Sequence, residues 1–491
     1  MQPNSTNDNS TPAIQTLPGP PVLPDSTKRL LPWLIAVAFF MESLDTTILN
    51  TGVPTIAAAL HVAPLSMKSV LASYTLSLAV FIPISGWMAD RFGTRHVFAT
   101  AIGIFSLGSF LCGISSNIHL LVACRILQGC GGAMMVPVGR LTLVRTFPKS
   151  ELVRAMSFVS IPGLIGPMLG PLAGGVIVAY FHWRMIFFVN IPIGLVGLYL
   201  VDRHLPDYRE ESVPPIDIVG LILFGSGIAL LSYVLEVFGE HTLSTLEVLG
   251  LLALSFALLG GYGLHATRTD HPVLRLMLFR IRTFRSSVVG SFVTRLGIGG
   301  IPFLFPLLYQ VGLGFSPVKS GLLMMPQAIA SMSLKMFMPK ILRRLGYRAV
   351  LISNTILIGV FIFLFSTIGL RTPIWMIVMI VFSYGFLTSL QYTSMNTLVY
   401  ADISEEEASS ASSIASTVQQ MAVSFGVAAA SLVTAFFLPD RYRSNPAEFI
   451  HGIHHAFWVL AAMTILSTIV FSELKSSDGE TVSQARNVHG G

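Results

Sequence analysis

Two carboxylates lie where a solvated residue has no place: Glu42 and Asp45 interrupt an apolar run that begins near Leu31 and continues to Ala59. A helical rise of about 1.5 Å per residue, counted from Pro32, puts Asp45 roughly 20 Å along the run, with Glu42 one turn earlier near the middle of a bilayer. Three residues apart, the two share a helix face. Neighbouring carboxylates in low dielectric raise one another's proton affinity, which suits a group that must bind and release a proton near neutral pH. Three cations are equally displaced, because Arg125, Arg295 and Lys335 also fall inside apolar runs. An arginine there keeps its proton, so a carboxylate or polar groups must neutralise it. With all five ionised, the intramembrane charges leave one positive charge in excess, a balance that favours an anionic cargo over a cationic one. The bland reading is that Arg295 and Lys335 snorkel to the interface. Gln128 and Gln310 join Arg295 and Lys335 as candidates to line a substrate cavity.

The elements that hold these groups follow from composition. The chain has 491 residues, 53% hydrophobic and only 11% charged, with mean hydropathy +0.72; soluble chains average about 25% charged. That excludes an ordinary soluble protein and leaves no room for a large soluble catalytic domain. Fourteen apolar windows follow one another, at 32–59, 68–89, 96–115, 119–140, 152–180, 185–202, 217–238, 245–267, 286–312, 317–338, 349–369, 373–399, 406–438 and 453–472. Helices are required, since runs such as Leu351 to Leu370 are apolar on every face and show no period of two. The net charge of +6 reads as topology: with a cytoplasmic N-terminus, about 21 Lys and Arg fall on that side and about 6 on the other, and an even span count puts both termini inside. Nucleic acid is therefore not an expected partner. Cys112, Cys124 and Cys130 sit in apolar stretches and form neither a disulfide framework nor a metal motif. The paired loops Gly86 to His96 and Pro339 to Arg348, each after the second span of its six-helix bundle, suggest an internal duplication. The expected division is a disordered N-terminus over 1–27, a six-helix bundle over 28–205, an inserted helix pair over 206–270, a second six-helix bundle over 271–474 and a tail over 475–491.

Four motifs resemble the major facilitator superfamily, specifically its fourteen-helix drug:proton antiporter branch of the EmrB/QacA type. They are Leu44-Asp45-Thr46-Thr47 through Pro54 in span 1; Gly86, Asp90, Arg91, Gly93 and Arg95 in the loop after span 2; Arg125-Ile-Leu-Gln128-Gly129 in span 4; and Gly166-Pro167-Met-Leu-Gly170-Pro171-Leu-Ala-Gly174-Gly175 in span 5. Trp183-Arg184 through Asn190-Ile-Pro192, Asp217-Ile-Val-Gly220 and Pro272 through Arg280 are further markers of the branch. His96 stands where a basic residue is usual.

The resemblance implies an all-α membrane fold of two six-helix bundles plus the inserted pair, with no enzymatic activity and no cofactor beyond a proton gradient. It assigns Arg125 to tuning the protonatable carboxylate, the Gly86 to Arg95 loop to a conformational hinge, and the Gly166 to Gly175 run to exporters. The expected function is a proton-coupled exporter of small organic molecules, by default multidrug efflux, in a bacterial inner membrane. The alternative is export of organic anions such as citrate-like or siderophore polycarboxylates. An importer and a non-transporting sensor or scaffold are the rivals. A periplasmic adaptor with an outer-membrane channel is an admissible partner set, and the oligomeric state stays open. The chain lacks a Gly-x-x-x-x-Gly-Lys loop, which argues against ATP-driven transport by this chain alone.

Overall fold

The computed structural model describes residues 25–237, 244–334, 337–404, 406–438 and 445–479. Lys335, most of the expected disordered N-terminus and the tail from 480 lie outside the described residues. The described chain is helical throughout, with no strand, because within a bilayer only an element that satisfies its own backbone groups can cross. The long helices in chain order are α1 (Asp25–Ala59), α2 (Lys68–Phe92), α3 (Thr94–Ile114), α4 (Ile118–Thr146), α5 (Lys149–Tyr180), α6 (Asn190–His204), α7 (Ile218–Val237), α8 (Thr245–Ala266), α9 (Arg282–Ile298), α10 (Pro317–Leu334), α11 (Tyr347–Phe365), α12 (Ile374–Leu398), α13 (Ala408–Phe437) and α14 (Pro446–Leu466). A separate turn, Met185–Phe188, precedes α6. Helix α9 runs on through Ile301–Pro306 into a π-helical stretch, Leu307–Gly312.

Among the described residues, 13 segments are long and apolar enough to span a bilayer. The remaining helix, α10, falls short in hydropathy because it carries Lys319, Pro326, Gln327 and several serines, yet it packs between α5 and α12. The set is consistent with fourteen spans.

Helices α1 to α6 pack as one bundle and α9 to α14 as another, and the bundles meet through α2 against α13 and α5 against α10. The pair α7–α8 leans on this seam: Phe224, Ile228 and Tyr262 pack with Leu76 of α2 and with Ala411, Ile414 and Phe425 of α13. The two ends of the molecule differ. At the end opposite the start of α1, called here the far end, one continuous apolar core joins Ile48, Val53, Leu65 and Phe187 to Phe305, Leu323, Phe365 and Phe457. At the end carrying the basic loops, the core of the first bundle (Ile35, Phe98, Leu143) and that of the second (Leu342, Leu351, Leu398) are separate. Hydrogen bonds between bundles reinforce the far half: Gln310 Nε2 donates to the Thr51 carbonyl at 2.9 Å, Ser424 Oγ to that of Ala72 at 3.2 Å and Ser431 Oγ to that of Leu65 at 3.3 Å.

Two connecting segments pack onto the bundles beside them. The segment after α6 folds back onto the first bundle: Thr94 N–H donates to the Tyr208 carbonyl, and Asp207 accepts from the Arg95 N–H at 3.0 Å. The second bundle likewise continues past 474, because Asp478 accepts from Arg282 Nη2 at 2.6 Å and from the Lys475 N–H at 2.8 Å. Burial pushes the Asp478 carboxyl up, but Arg282 and the Lys475 N–H outweigh it and hold it below its ordinary value.

The α1–α5 seam explains the glycine run. Methyl groups on Gly166, Gly170 and Gly174 would collide with Ser43 and Leu44, with Thr47 and Ile48, and with the Ile48 carbonyl, in that order, while one on Gly175 would meet the Pro317 carbonyl of α10. Thr51 Oγ1 donates across the seam to the Pro171 carbonyl at 2.9 Å. Lipid tails are as apolar as side chains, so close backbone approach and such bonds must supply the association. Gly163, by contrast, has only Ser43 Oγ at 3.8 Å from an added methyl group. Gly170→Leu is therefore expected to destabilise the protein by about 1–3 kcal/mol, and Gly163→Ala to leave it near wild type, as read by thermal melting in detergent.

Asp217 fastens the start of α7. It accepts from the Gly220 N–H at 2.7 Å, pairs with His265 Nε2 at 2.7 Å and accepts from the Val273 N–H at 3.3 Å. Burial pushes its carboxyl up, but the Gly220 N–H, His265 and the Val273 N–H together hold it below its ordinary value. A carboxyl depressed in the fold stabilises fully above the unfolded value, about 3.9, and loses that contribution as pH falls through the folded value. Asp217→Ala should lower stability by about 1 kcal/mol at neutral pH, and melting curves of the two proteins should converge as pH drops below about 4.

Candidate functional site

The glycines of α4 set the site. Added methyl groups on Gly129 and Gly131 would strike Ser77 and the Tyr74 carbonyl of α2, and the backbone of Ala101 and Phe105 of α3; one on Gly108 of α3 would strike the Gln128 backbone. Without those methyl groups α2, α3 and α4 close on one another, and the polar side chains one turn earlier on α4 are driven inward. Arg125 and Gln128 become fully enclosed, with exposures of 1% and 0%.

Asp45 of α1 meets them there, itself 1% exposed. Its Oδ2 accepts from Arg125 Nη1 at 2.6 Å, and its Oδ1 accepts from Gln128 Nε2 at 2.8 Å and from Asn190 Nδ2 of α6 at 2.9 Å. Arg125 Nη1 also donates to Gln128 Oε1 at 2.7 Å, and its Nε to the Val70 carbonyl at 3.4 Å. The Tyr74 ring lies under the guanidinium, 4.2 Å from Cζ to the ring centroid. Ser109 of α3 accepts from Gln128 Nε2 at 2.6 Å and from Asn190 Nδ2 at 3.2 Å. A carboxylate and a guanidinium out of water are tolerable only when paired and hydrogen-bonded, and here each is both.

The structure brings Asp45 and Arg125 into direct contact, which spacing alone did not reveal. It corrects the cavity assignment of Gln128, whose amide is consumed inside the ion-pair shell. Glu42 stands apart. It is half-buried, Asp45 and Arg140 are the charges that act on it, and its carboxylate makes no hydrogen bond or ion pair with the described residues. The expected shared face splits, because Asp45 turns toward α4 and α6.

In the loop after α2, Gly93 has φ +92°, a conformation favouring glycine, and Gly346 after α10 repeats it at φ +75°. Asp90 accepts from Arg145 Nη2 at 2.8 Å, and the same nitrogen donates to Glu210 at 2.8 Å. The Arg95 N–H and His96 Nδ1 both engage Asp207. Arg91 is exposed, and Gly86 faces open space.

Arg295 does not snorkel: it is 4% exposed, its Nε donates to Ser291 Oγ at 3.0 Å, and its Cζ lies 3.7 Å from the centroid of the Tyr392 ring of α12. No carboxylate among the described residues lies within 4 Å of it. Gln310 sits at the junction of the bundles on Thr51. The sequence reading missed Tyr74, Ser109 and Asn190 as site residues. Asn190 carried a signal, an amide inside an apolar span, but had served only as a family marker; Ser109 carried none.

With this geometry in hand, comparison with known proteins is informative. The family model described as Major Facilitator Superfamily matches residues 35–427. A protein of Escherichia fergusonii named "Putative multidrug resistance protein MdtD" is 39% identical over 465 residues, covering 94% of this chain and 98% of its own. Its counterpart in Shigella flexneri is equally similar. Among solved structures, a D-xylose-proton symporter aligns over 92% of this chain and 99% of its own at TM-score 0.67 and 14% identity, and the POT family transporter PepTSo over 90% and 97% at TM-score 0.66 and 16% identity. Those likenesses speak to fold alone. A model match over most of the chain, together with relatives of this identity along nearly its whole length, makes this multi-pass membrane protein a member of the Major Facilitator Superfamily.

Proposed function

We propose that this chain is a proton-coupled exporter of small organic molecules, seated in a bacterial inner membrane with both termini cytoplasmic. The observation that carries the reading is the buried Asp45 to Arg125 pair. A carboxylate enclosed in the membrane beside a permanent cation is a group whose proton can be exchanged for a change of packing. In this reading the bundles, joined by one core at the far end and separate at the basic end, rock about the central seam, and the cargo site and Asp45 are offered to either side in turn. The loop from Gly86 to Arg95, latched through Asp90 and Arg145, is the hinge. The Gly166 to Gly175 contact with α1 couples the helix bearing Asp45 to α5. The name of the enterobacterial relatives supports multidrug efflux as the default cargo.

A specific observation favours a second cargo class. Arg295 is buried against Tyr392 with no carboxylate beside it, and a permanent cation in low dielectric attracts an anion. This supports organic anions of the polycarboxylate type.

The Asp45→Asn variant should insert and fold, since an amide keeps the size and much of the hydrogen bonding, yet lose proton-driven transport to the background of empty vesicles. Uphill export by that variant would overturn the assignment and pass the role to Glu42. For cargo, everted vesicles with an imposed proton gradient would be offered cationic dyes and polycarboxylates. On the anion reading, Arg295→Gln with Lys335→Gln weakens polycarboxylate transport at least about tenfold and spares the dyes. Loss of dye export, with no anion transport in the parent, returns the cargo to lipophilic drugs.

A further inference from the structure

Every group that reaches the Asp45 carboxylate donates a hydrogen. Arg125 Nη1, Gln128 Nε2 and Asn190 Nδ2 all point N–H bonds at its two oxygens. Such a shell fits the ionised carboxylate and opposes the acid, whose own O–H needs an acceptor. A carrier that cycles through both forms must therefore find an acceptor somewhere. Gln128 Oε1 is taken, since it accepts from Arg125 at 2.7 Å. Asn190 Oδ1 is buried and has no partner among the described residues.

We propose that Asn190 is the amide that serves both protonation states of Asp45, donating through Nδ2 to the carboxylate and, after a half-turn of its amide, accepting through Oδ1 from the carboxylic acid. The inference rests on Asp45 being the proton carrier. The half-turn exchanges Nδ2 for Oδ1 opposite Asp45 Oδ1. Ser109, now an acceptor from both amides, has a hydroxyl hydrogen to donate to the turned Asn190. One amide atom is left unpaired in either orientation, so the orientations differ chiefly in how they serve Asp45. No bond to the proton's carrier is made or broken except the O–H of Asp45 itself, and the proton comes from water entering the site and returns to it. Asn190 is the first residue of α6, set off from the turn before it at Val189, and is fully buried. Its role is to position Asp45's proton without carrying one.

Among the described residues, Asn190 is the group with a free acceptor that is already seated on Asp45. On α1 the nearest ionisable side chain is Glu42; α2 offers Tyr74, whose ring lies under Arg125 and whose buried hydroxyl makes no hydrogen bond to Asp45; α3 offers the Cys112 thiol, directed at Gln128 Oε1 at 3.8 Å; α4 offers Arg125, a donor only. Helix α5 has no ionisable residue between Arg154 and Tyr180, and α6 none before Tyr199.

The test uses the purified full chain in lipid, followed by infrared difference spectroscopy across pH, with the carboxylic C=O band of Asp45 assigned by its loss in Asp45→Asn. Asn190→Leu removes a charge-assisted bond from the ionised form and a weaker neutral one from the acid, so the midpoint of that band should move to higher pH by about one unit. Its frequency should also change, because the acid O–H has lost its acceptor. Asn190→Gln, which keeps the amide, should recover most of both effects and is the variant to rely on if the leucine protein fails to fold. In the parent protein, an asparagine amide C=O change should accompany the acid band and vanish in Asn190→Gln, replaced by a glutamine one. An unshifted midpoint in Asn190→Leu, or an acid band in the parent with no amide change beside it, overturns the proposal while leaving Asp45 as carrier. Persistence of the titrating band in Asp45→Asn instead overturns the carrier assignment on which it rests.

Discussion

The ion pair between Asp45 and Arg125 is the constraint to which the first bundle is built. A guanidinium cannot be neutralised by losing its proton, and a carboxylate in low dielectric tends to gain one, so the pair persists only if the packing brings the two together and fills their remaining hydrogen-bonding capacity. Side chains on α1, α3, α4 and α6, together with a carbonyl from α2, do this. Breaking such a pair from one side leaves a bare charge in the membrane, at a cost of about 3–5 kcal/mol. In the proposed exporter, protonation of Asp45 would lower the cost of separating the partners, which would give a local proton event leverage over whole helices.

The glycines follow from this requirement. Helices in lipid gain nothing from burying apolar surface against one another, so their association depends on contact distance and on bonds between backbones. The run in α4 lets α2 and α3 approach until the Tyr74 ring reaches Arg125 and Ser109 reaches the Gln128 amide, and the run in α5 brings that helix onto α1 beside Asp45. A single added methyl group at most of these positions overlaps backbone atoms, which cannot move aside as a flexible side chain can. The same close approach that lies beside the ion pair holds α5 against α1, and α5 in turn meets α10 where Gly175 lies against the Pro317 carbonyl.

The two bundles, although similar in plan, hold different contents. The second has no ion pair in its membrane core among the described residues; it has an aromatic cluster of Phe305, Phe365, Tyr384 and Phe457 and a neutral chain of Asn354, Gln391 and Thr355. Among the described residues, its enclosed cation Arg295 rests on a π face. The buried ion pair thus sits in one half and the enclosed Arg295 in the other, with the seam between them. The inserted pair α7–α8 braces that seam from outside through apolar contacts to both α2 and α13.

The sequence by itself determined that the chain is a bundle of membrane helices, because apolar runs of bilayer length admit no other backbone solution, and it identified Asp45 and Arg125 as groups needing partners because an isolated charge there is intolerable. The glycine runs marked close contacts for the same reason of steric necessity. Which groups meet was decided only by the tertiary structure. Asp45 and Arg125 are eighty residues apart and Asn190 lies further on, at the start of α6, so neither helical period nor motif spacing relates them. Glu42, three residues from Asp45, looked like its companion, yet the rotation of α1 against α4 and α6 separates their roles. Gln128 and Arg295 changed meaning likewise, one drawn into the ion-pair shell and the other enclosed instead of snorkelling, because burial depends on which neighbouring helix covers a face, and that is a property of packing between distant segments.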